Sequence, residues 1–231
     1  MARARASANG RTRSQAARAA KTDLAADAVE FHPVTADRWD DLAQLFGPRG
    51  ACAGCWCMWP RLTSRAYEAG RGDGHRRRLR AIVTAGQRPG ILAYAGGEPV
   101  GWCAVAPRAE YVRLATSRVM APVDEVEVWS VPCLFVAREW RGRGLQARLL
   151  EAAVRFAASR GARMVEGYPI DLEGKRTGDA FLWHGAASSF VRAGFHEVAR
   201  RSGTRPVMRR SVRAATTPKR GTAQRTTGRR G

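Results

Sequence analysis

The chain of 231 residues predicts an α/β fold of the α+β kind, with one mixed, twisted sheet and helices packed against it. Three observations carry this reading. Residues 126–136 (VEVWSVPCLFV) are dense in β-branched, aromatic and apolar side chains, as a buried strand is. An Arg141-Gly142-Arg143-Gly144 turn then opens a helix in which Leu145, Leu149, Ala152 and Phe156 return at helical spacing, and Gly161 closes it. Residues 163–170 (RMVEGYPI) read as the next strand. A strand–helix–strand unit of this length makes a parallel pair with a right-handed crossover. An antiparallel hairpin over residues 90–107 makes the sheet mixed.

The remaining elements follow in chain order. Glu30–Val34 reads as a short first strand, and Thr35 can cap a helix over 36–46 with Trp39, Leu42, Ala43 and Phe46 on one face. Gly47-Pro48-Arg49-Gly50 ends it. Residues 61–74 are rich in Gly and Arg and read as loop. Arg76 to Ala85 reads as a helix with Leu79, Ile82 and Val83 inward and its arginines solvated. In the hairpin, 91–95 and 100–105 are the strands and 96–99 the turn; 108–122 is a linking segment. After the second parallel strand come a long loop, 171–183, read as a lid, a short helix over 185–193, and a terminal hairpin of 195–200 and 205–208.

Composition bounds the function. At 45% hydrophobic and 26% charged residues the chain supports one domain with a real core. No run of 18 apolar residues is present, so no membrane span is expected, and the N-terminus lacks the apolar centre of a secretory signal. A cytoplasmic location is expected. The net charge of +20 is concentrated at the ends: residues 1–22 hold six basic residues, residues 209–231 hold eight, and neither stretch holds an acid. Both are poor in large apolar residues. The expected organisation is a disordered tail over 1–28, a folded domain over 29–210 and a second tail over 211–231. The tails can make weak, non-specific contact with nucleic acid, or their charge is compositional drift.

Cys52-Ala-Gly-Cys55-Trp-Cys57-Met58-Trp59 has a spacing that metal ligands can use, but no second Cys or His pair follows closely. The apolar reading is preferred: Cys55, Trp56, Met58 and Trp59 line a pocket or a core. The basic glycine turn has a different use. The first N–H groups of a helix lack intrahelical partners and carry partial positive charge. Gly142 and Gly144 remove the Cβ atoms that would hold a phosphate off, and Arg141 and Arg143 add charge, so the turn is a pyrophosphate cradle. GxxxxGK[ST] and GxGxxG spacings are both absent.

Strand, Arg-Gly-Arg-Gly-Leu and amphipathic helix together resemble the coenzyme-binding motif of the GNAT N-acetyltransferases, Arg/Gln-x-x-Gly-x-Gly/Ala. Arg141 and Gly144 match the first two fixed places, and Gln146 stands where Gly or Ala is usual. The Gly-Glu-Pro-Val-Gly step at 97–101 and Gly194-Phe195 resemble other parts of that family. The Cys-Trp-Cys-Met-Trp run looks like one in a bacterial subgroup, where it would sit beside the acceptor channel.

The resemblance implies the GNAT fold, with a parallel strand pair splayed at one end, and acetyl-CoA as acyl donor. The pantetheine arm would lie along Leu134, Phe135 and Val136, and the pyrophosphate on Arg141, Gly142, Arg143, Gly144, Leu145 and Gln146. Pro132, which has no N–H, fits a bulge that opens the strand. The family's usual proton-donating Tyr is Phe190 here, so Ser188, Ser189 or water must replace it, or the thiolate leaves unprotonated. Glu127 and Glu166 are the candidate general bases, and Tyr168 a pocket hydrogen-bond donor. Cys133 reads as a buried thiol and His184 as lid or core. With Asp171 and Glu173, the two glutamates point to a cationic amine, of a small molecule or a peptide. The expected activity is acetyl transfer to an amine by direct attack on the thioester, by a monomer or homodimer. A non-catalytic acyl-CoA-binding module and a nucleic-acid-associated protein acting through its tails are the competing readings.

Overall fold

The computed structural model describes residues 28–171 and 183–212. The chain enters through β1 (Val29–Pro33) and a 3-10 turn at Ala36–Arg38, then forms α1 (Trp39–Phe46), whose Trp39, Leu42 and Phe46 are buried. The expected loop 61–74 contains a helix, α2 (Ser64–Glu68), capped where the Thr63 hydroxyl accepts the Ala66 N–H at 3.4 Å. Next comes α3 (Asp73–Thr84), beginning earlier than expected and burying His75, Leu79 and Val83. The hairpin is β2 (Gly90–Ala95) and β3 (Glu98–Pro107), joined at Gly96-Gly97. The linking segment carries a short α4 (Val112–Ala115).

The central unit is β4 (Trp129–Val136), α5 (Leu145–Ser159) and β5 (Met164–Gly167). It is followed by α6 (Ala187–Arg192) and the hairpin β6 (His196–Arg200) and β7 (Pro206–Ser211). Among the described residues the strands form one seven-stranded sheet in the order β1-β2-β3-β4-β5-β7-β6. Among the named strands of the described residues only β4 and β5 pair in parallel, and the others pair antiparallel. The expected mixed sheet is therefore present.

Helices cover both faces. On one, α5 buries Leu145, Leu149, Leu150 and Val154 against Val105, Val131 and Phe190; each such side chain contributes about 1.5–3 kcal/mol. On the other, α1, the Cys52–Trp59 segment and α3 pack Trp39, Phe46, Trp56 and Leu79 against Trp102. Several other boundaries differ from expectation. The strand written as 126–136 begins at Trp129, so Glu127 precedes it. The strand written as 163–170 ends at Gly167. Most of the segment read as a lid, 172–182, lies outside the described residues, as do 1–27 and 213–231 of the tails. Finally, β7 runs to Ser211 and the Val212 N–H donates to Arg163 at 2.9 Å, so Arg209 and Arg210, counted with the basic tail, belong to the fold.

Candidate active site

The site is built where β4 and β5 part. Their pairing covers Trp129–Val165, Ser130–Glu166 and Val131–Gly167 and stops there. Beyond it, β4 remains paired with β3 on its other edge, Cys133 to Ala104 through Val136 to Gly101. Every second residue from Cys133 to Val136 therefore turns its N–H and C=O toward an open gap. The parting begins at a bulge: Ser130 faces Ala106 while Cys133 faces Ala104, so β4 has one extra residue at Val131-Pro132. Proline cannot donate to the ladder, and an extra residue bends its strand.

The parted strands are held open by side chains. Phe190 of α6 is fully buried and its ring lies against Gly167, where a Cβ would come within 2.1 Å of it. His184 sits in the gap, with Nδ1–H donating to the Pro132 carbonyl at 2.8 Å. That bond fixes the tautomer and leaves Nε2 unprotonated. Burial, and then the Arg205 charge, push the His184 pKa down to about 3, against the Pro132 bond, so the ring is neutral at physiological pH. It stacks on Trp183 at 3.6 Å and meets Trp59 edge-on at 5.8 Å.

A cleft of about 550 Å³ runs from this gap to the glycine turn. It is lined by Leu134, Phe135, Val136, Arg141, Gly142, Gly144, Leu145 and Gln146, that is, by all the residues expected at the cofactor except Arg143. The Arg143 guanidinium lies 5.2 Å over the Trp140 ring at the same turn. Gly142 and Gly144 have φ of 74° and 75°, a backbone that side chains rarely adopt, and Cβ atoms there would point into open space. A branched side chain at either would enter the cleft. Arg141 Nε–H donates to the Val136 carbonyl at 3.1 Å, tying turn to strand. Gln146 Oε1 accepts the Ala186 N–H at 3.3 Å, which joins α5 to the start of α6. The residues present fit a pyrophosphate and an extended amide-bearing arm.

Sequence reasoning missed Trp140, Trp183 and Arg192, which also line the cleft. Arg192 stands on α6 next to Ser189, and its Nη2 donates to the Ser189 hydroxyl at 3.3 Å. Ser189 is buried and lines the cleft, whereas Ser188 is exposed.

The residues expected to carry protons are dispersed. Glu127 is exposed, ahead of β4. It lies about 13 Å along the chain from Val131, at strand rise, at the end where β4 and β5 are paired. Glu166 is fully buried, with Oε1 on Arg108 Nη1 at 2.6 Å and Oε2 on Arg209 Nε at 2.7 Å. Tyr168 donates to Glu166 Oε1 at 2.7 Å, sits 2.9 Å from the Ser130 hydroxyl and accepts from Arg108. Burial, then the Glu166 charge, hold the phenol well above its ordinary pKa. Arg209 also clasps Asp124 at 2.6 and 2.9 Å. This network joins β5, β7 and the segment before β4. Glu166 and Tyr168, expected as a base and a hydrogen-bond donor, are thus both engaged with arginines in this buried network.

The Cys52–Trp59 segment forms the other wall of the gap. Cys57 Sγ accepts the Trp102 indole N–H at 3.1 Å. Burial opposes ionisation of Cys57, but hydrogen bonds from Cys133 and Trp102 and the Arg61 charge hold its pKa below the ordinary value. Cys133, through its bond to Cys57 and burial, is held well above. Cys133 thus stays a thiol. His75, isolated in sequence, anchors this segment: its Nδ1 bonds the Gly54 carbonyl at 2.9 Å. Among the described residues no group of three His, Cys, Asp or Glu side chains is placed to hold a metal ion.

Residues 56–168, which span the hairpin, the central strand, the glycine turn and the long helix, match the model of the acetyltransferase (GNAT) family. A mixed seven-stranded sheet with one parallel strand pair and flanking helices matches the GNAT acyltransferase fold. An acetyltransferase of the GNAT family from Listeria monocytogenes aligns with a TM-score of 0.49 at 10% identity, over 79% of this chain and 94% of that one. An acetyltransferase from Thermus thermophilus aligns at 0.44 and 20% identity, over 79% and 96%. The PaiA N-acetyltransferase from Thermoplasma acidophilum, in complex with coenzyme A, aligns at 0.44 and 11%, over 79% and 98%. None of the curated proteins compared with the chain matches it. No helix among the described residues is long and apolar enough to cross a membrane.

Proposed function

We propose that the chain is an N-acetyltransferase that takes its acetyl group from acetyl-CoA and passes it to an amine by direct attack on the thioester. The observation that carries this is the continuity of one cleft from Gly142 and Gly144 to the open edge of β4. The turn holds the pyrophosphate through backbone N–H groups and the helix dipole, with arginine charge added. The open edge of Cys133–Val136 pairs with the amides of the pantetheine arm and fixes the thioester beside the Pro132 bulge. Backbone N–H groups there stabilise the negative charge that develops on the carbonyl oxygen.

Ser189 replaces the tyrosine that Phe190 displaces. Its hydroxyl accepts from Arg192 and so has its own proton free to give to the departing thiolate. Glu166 and Tyr168 act at a distance, as positioning residues that fix the end of β5 where the strands part. Glu127 serves the amine only through water.

Thermal unfolding of the full chain with acetyl-CoA tests this reading. A ligand bound only by the folded state at one hundred times its Kd adds about 2.7 kcal/mol of stability. That gain is expected in the wild type and expected to vanish in Gly144→Val. Turnover with no stabilisation, or stabilisation unchanged in Gly144→Val, would place the coenzyme elsewhere. Stabilisation without thiol release on any amine would instead support the non-catalytic acyl-CoA-binding module.

A further inference from the structure

Next to the coenzyme cleft is a second cavity, of about 160 Å³. Ala51, Cys52, Leu134, Phe135 and Trp183 line both, so the two communicate at the parting of the strands. The walls of the second cavity are Trp59, Tyr67, Trp102, Phe135 and Trp183, with the thiols of Cys55, Cys57 and Cys133 between them. Cys55 and Cys133, whose pKa values are raised, stay thiols and act as small apolar groups. Among the described lining residues there is no carboxylate. Of the described acids, Glu166 is held by Arg108 and Arg209, Asp171 by Arg200 at 2.8 Å and Glu110 by Arg61 at 2.6 Å.

Charge behind the walls has the wrong sign for an ammonium ion. The Arg113 guanidinium lies 4.7 Å from the centre of the Trp59 ring and 5.7 Å from that of Tyr67. Its Nη2 is buried with no hydrogen-bond partner. Two of the lining rings, Trp59 and Tyr67, thus already carry a cation on one face. A protonated amine entering the cavity would lose its water, find no counter-charge among the described lining residues and meet the Arg113 charge.

Volume sets the size of the guest. An apolar cavity of about 150 Å³ accommodates benzene, so this one takes a single six-membered ring. Resting on the acetyltransferase reading, we propose that the acceptor is a small aromatic amine of the aniline class, its ring in the Trp59–Trp183 cavity and its nitrogen at the junction with the coenzyme cleft. The lone pair of such an amine is drawn into its ring, so the nitrogen is unprotonated at neutral pH. No buried carboxylate is then needed to remove a proton before attack. The nitrogen forms a bond to the thioester carbonyl carbon and the carbon–sulfur bond breaks. The electron pair leaves with sulfur, and one proton passes from nitrogen to the thiolate. The products are an N-aryl acetamide and free coenzyme A. This replaces the cationic acceptor expected from the count of acidic residues.

The test uses the full chain with acetyl-CoA and three amines, aniline, benzylamine and 1,5-diaminopentane, read by thiol release and product mass, beside thermal unfolding with acetyl-CoA. Aniline is expected to exceed both cationic amines in kcat/KM by about tenfold or more, the size of effect a shaped apolar pocket supplies. Stabilisation by acetyl-CoA with aniline inert, or with a cationic amine preferred, overturns the aromatic acceptor and leaves the acetyltransferase reading standing. Absence of stabilisation overturns both. Trp59→Ala enlarges the cavity and is expected to lower aniline turnover about tenfold while raising that of 1-aminonaphthalene; an unchanged ratio overturns the proposal. If that variant is not stabilised by acetyl-CoA, Cys55→Phe fills the cavity instead. Loss of aniline turnover with the acetyl-CoA shift kept supports the proposal, and retained turnover overturns it.

Discussion

Replacing Glu166 by Gln would leave the guanidinium groups of Arg108 and Arg209 facing a neutral amide inside the fold. Breaking a buried ion pair from one side costs about 3–5 kcal/mol, and the low end is expected because Arg209 keeps Asp124. The measurement is thermal unfolding of Glu166→Gln without ligand; a large loss of kcat at unchanged stability would restore Glu166 as the general base. His184 makes a second prediction at this scale. Its folded pKa, about 3, lies below its ordinary 6.5, so the unfolded chain binds the extra proton first. Stability is therefore complete above pH 6.5 and falls as pH drops toward 3, at up to about 1.4 kcal/mol per pH unit. His184→Asn, which can keep a donor to Pro132, should show a shallower fall in Tm between pH 6.5 and 5 than the wild type; parallel curves would refute the buried neutral ring. The sequence placed His184 in lid or core, but neither residue's partners were legible there. Arg108 and Arg209 stand 58 and 43 residues from Glu166, and Pro132 stands 52 from His184. A carboxylate's availability depends on such distant partners, while identity and a place on the second parallel strand were what made Glu166 a candidate base.

Elements report a different mixture. The strand–turn–helix from Trp129 to Ser159 was legible because its signals are local: apolar density, two glycines, and a 3.6-residue period. Pro132 marked the bulge for the same reason, since a missing N–H is a property of one residue. Five-residue α2 was not legible, because so short a helix has no period to read; its one signal was Thr63 as a cap. Gly167 is the most informative miss. Its lack of a side chain lets the Phe190 ring of α6 lie against the last paired residue of β5. Gly167→Ala is expected to cost about 1–3 kcal/mol through overpacking, and Phe190→Leu in the same chain should return part of it. Additive losses in the double variant, measured by denaturant unfolding, would show that the two do not press on each other.

At the scale of the whole molecule, charge and fold are separate devices. The sequence carries a net +20, yet Arg209 and Arg210 of that excess are working parts of β7: one clasps Glu166 and Asp124, the other donates to the Ala193 carbonyl. The other basic residues of the two ends lie outside the described residues, and their use is a question of electrostatics rather than geometry. Attraction of that kind is sequence-independent and salt-sensitive: six to ten phosphate contacts lose about 10³–10⁵ in affinity between 50 and 200 mM salt. The full chain is expected to retard duplex DNA of any sequence at 50 mM salt and to release it by 200 mM. Stabilisation by acetyl-CoA should persist at the higher salt, because in the proposed binding mode oriented N–H groups at the glycine turn hold the pyrophosphate as well as arginine charge does. Gly144→Val should abolish the second property and leave the first intact. DNA binding that survives 200 mM salt, or that disappears in Gly144→Val, would mean that the folded domain itself reads nucleic acid and that the cleft is not an independent site.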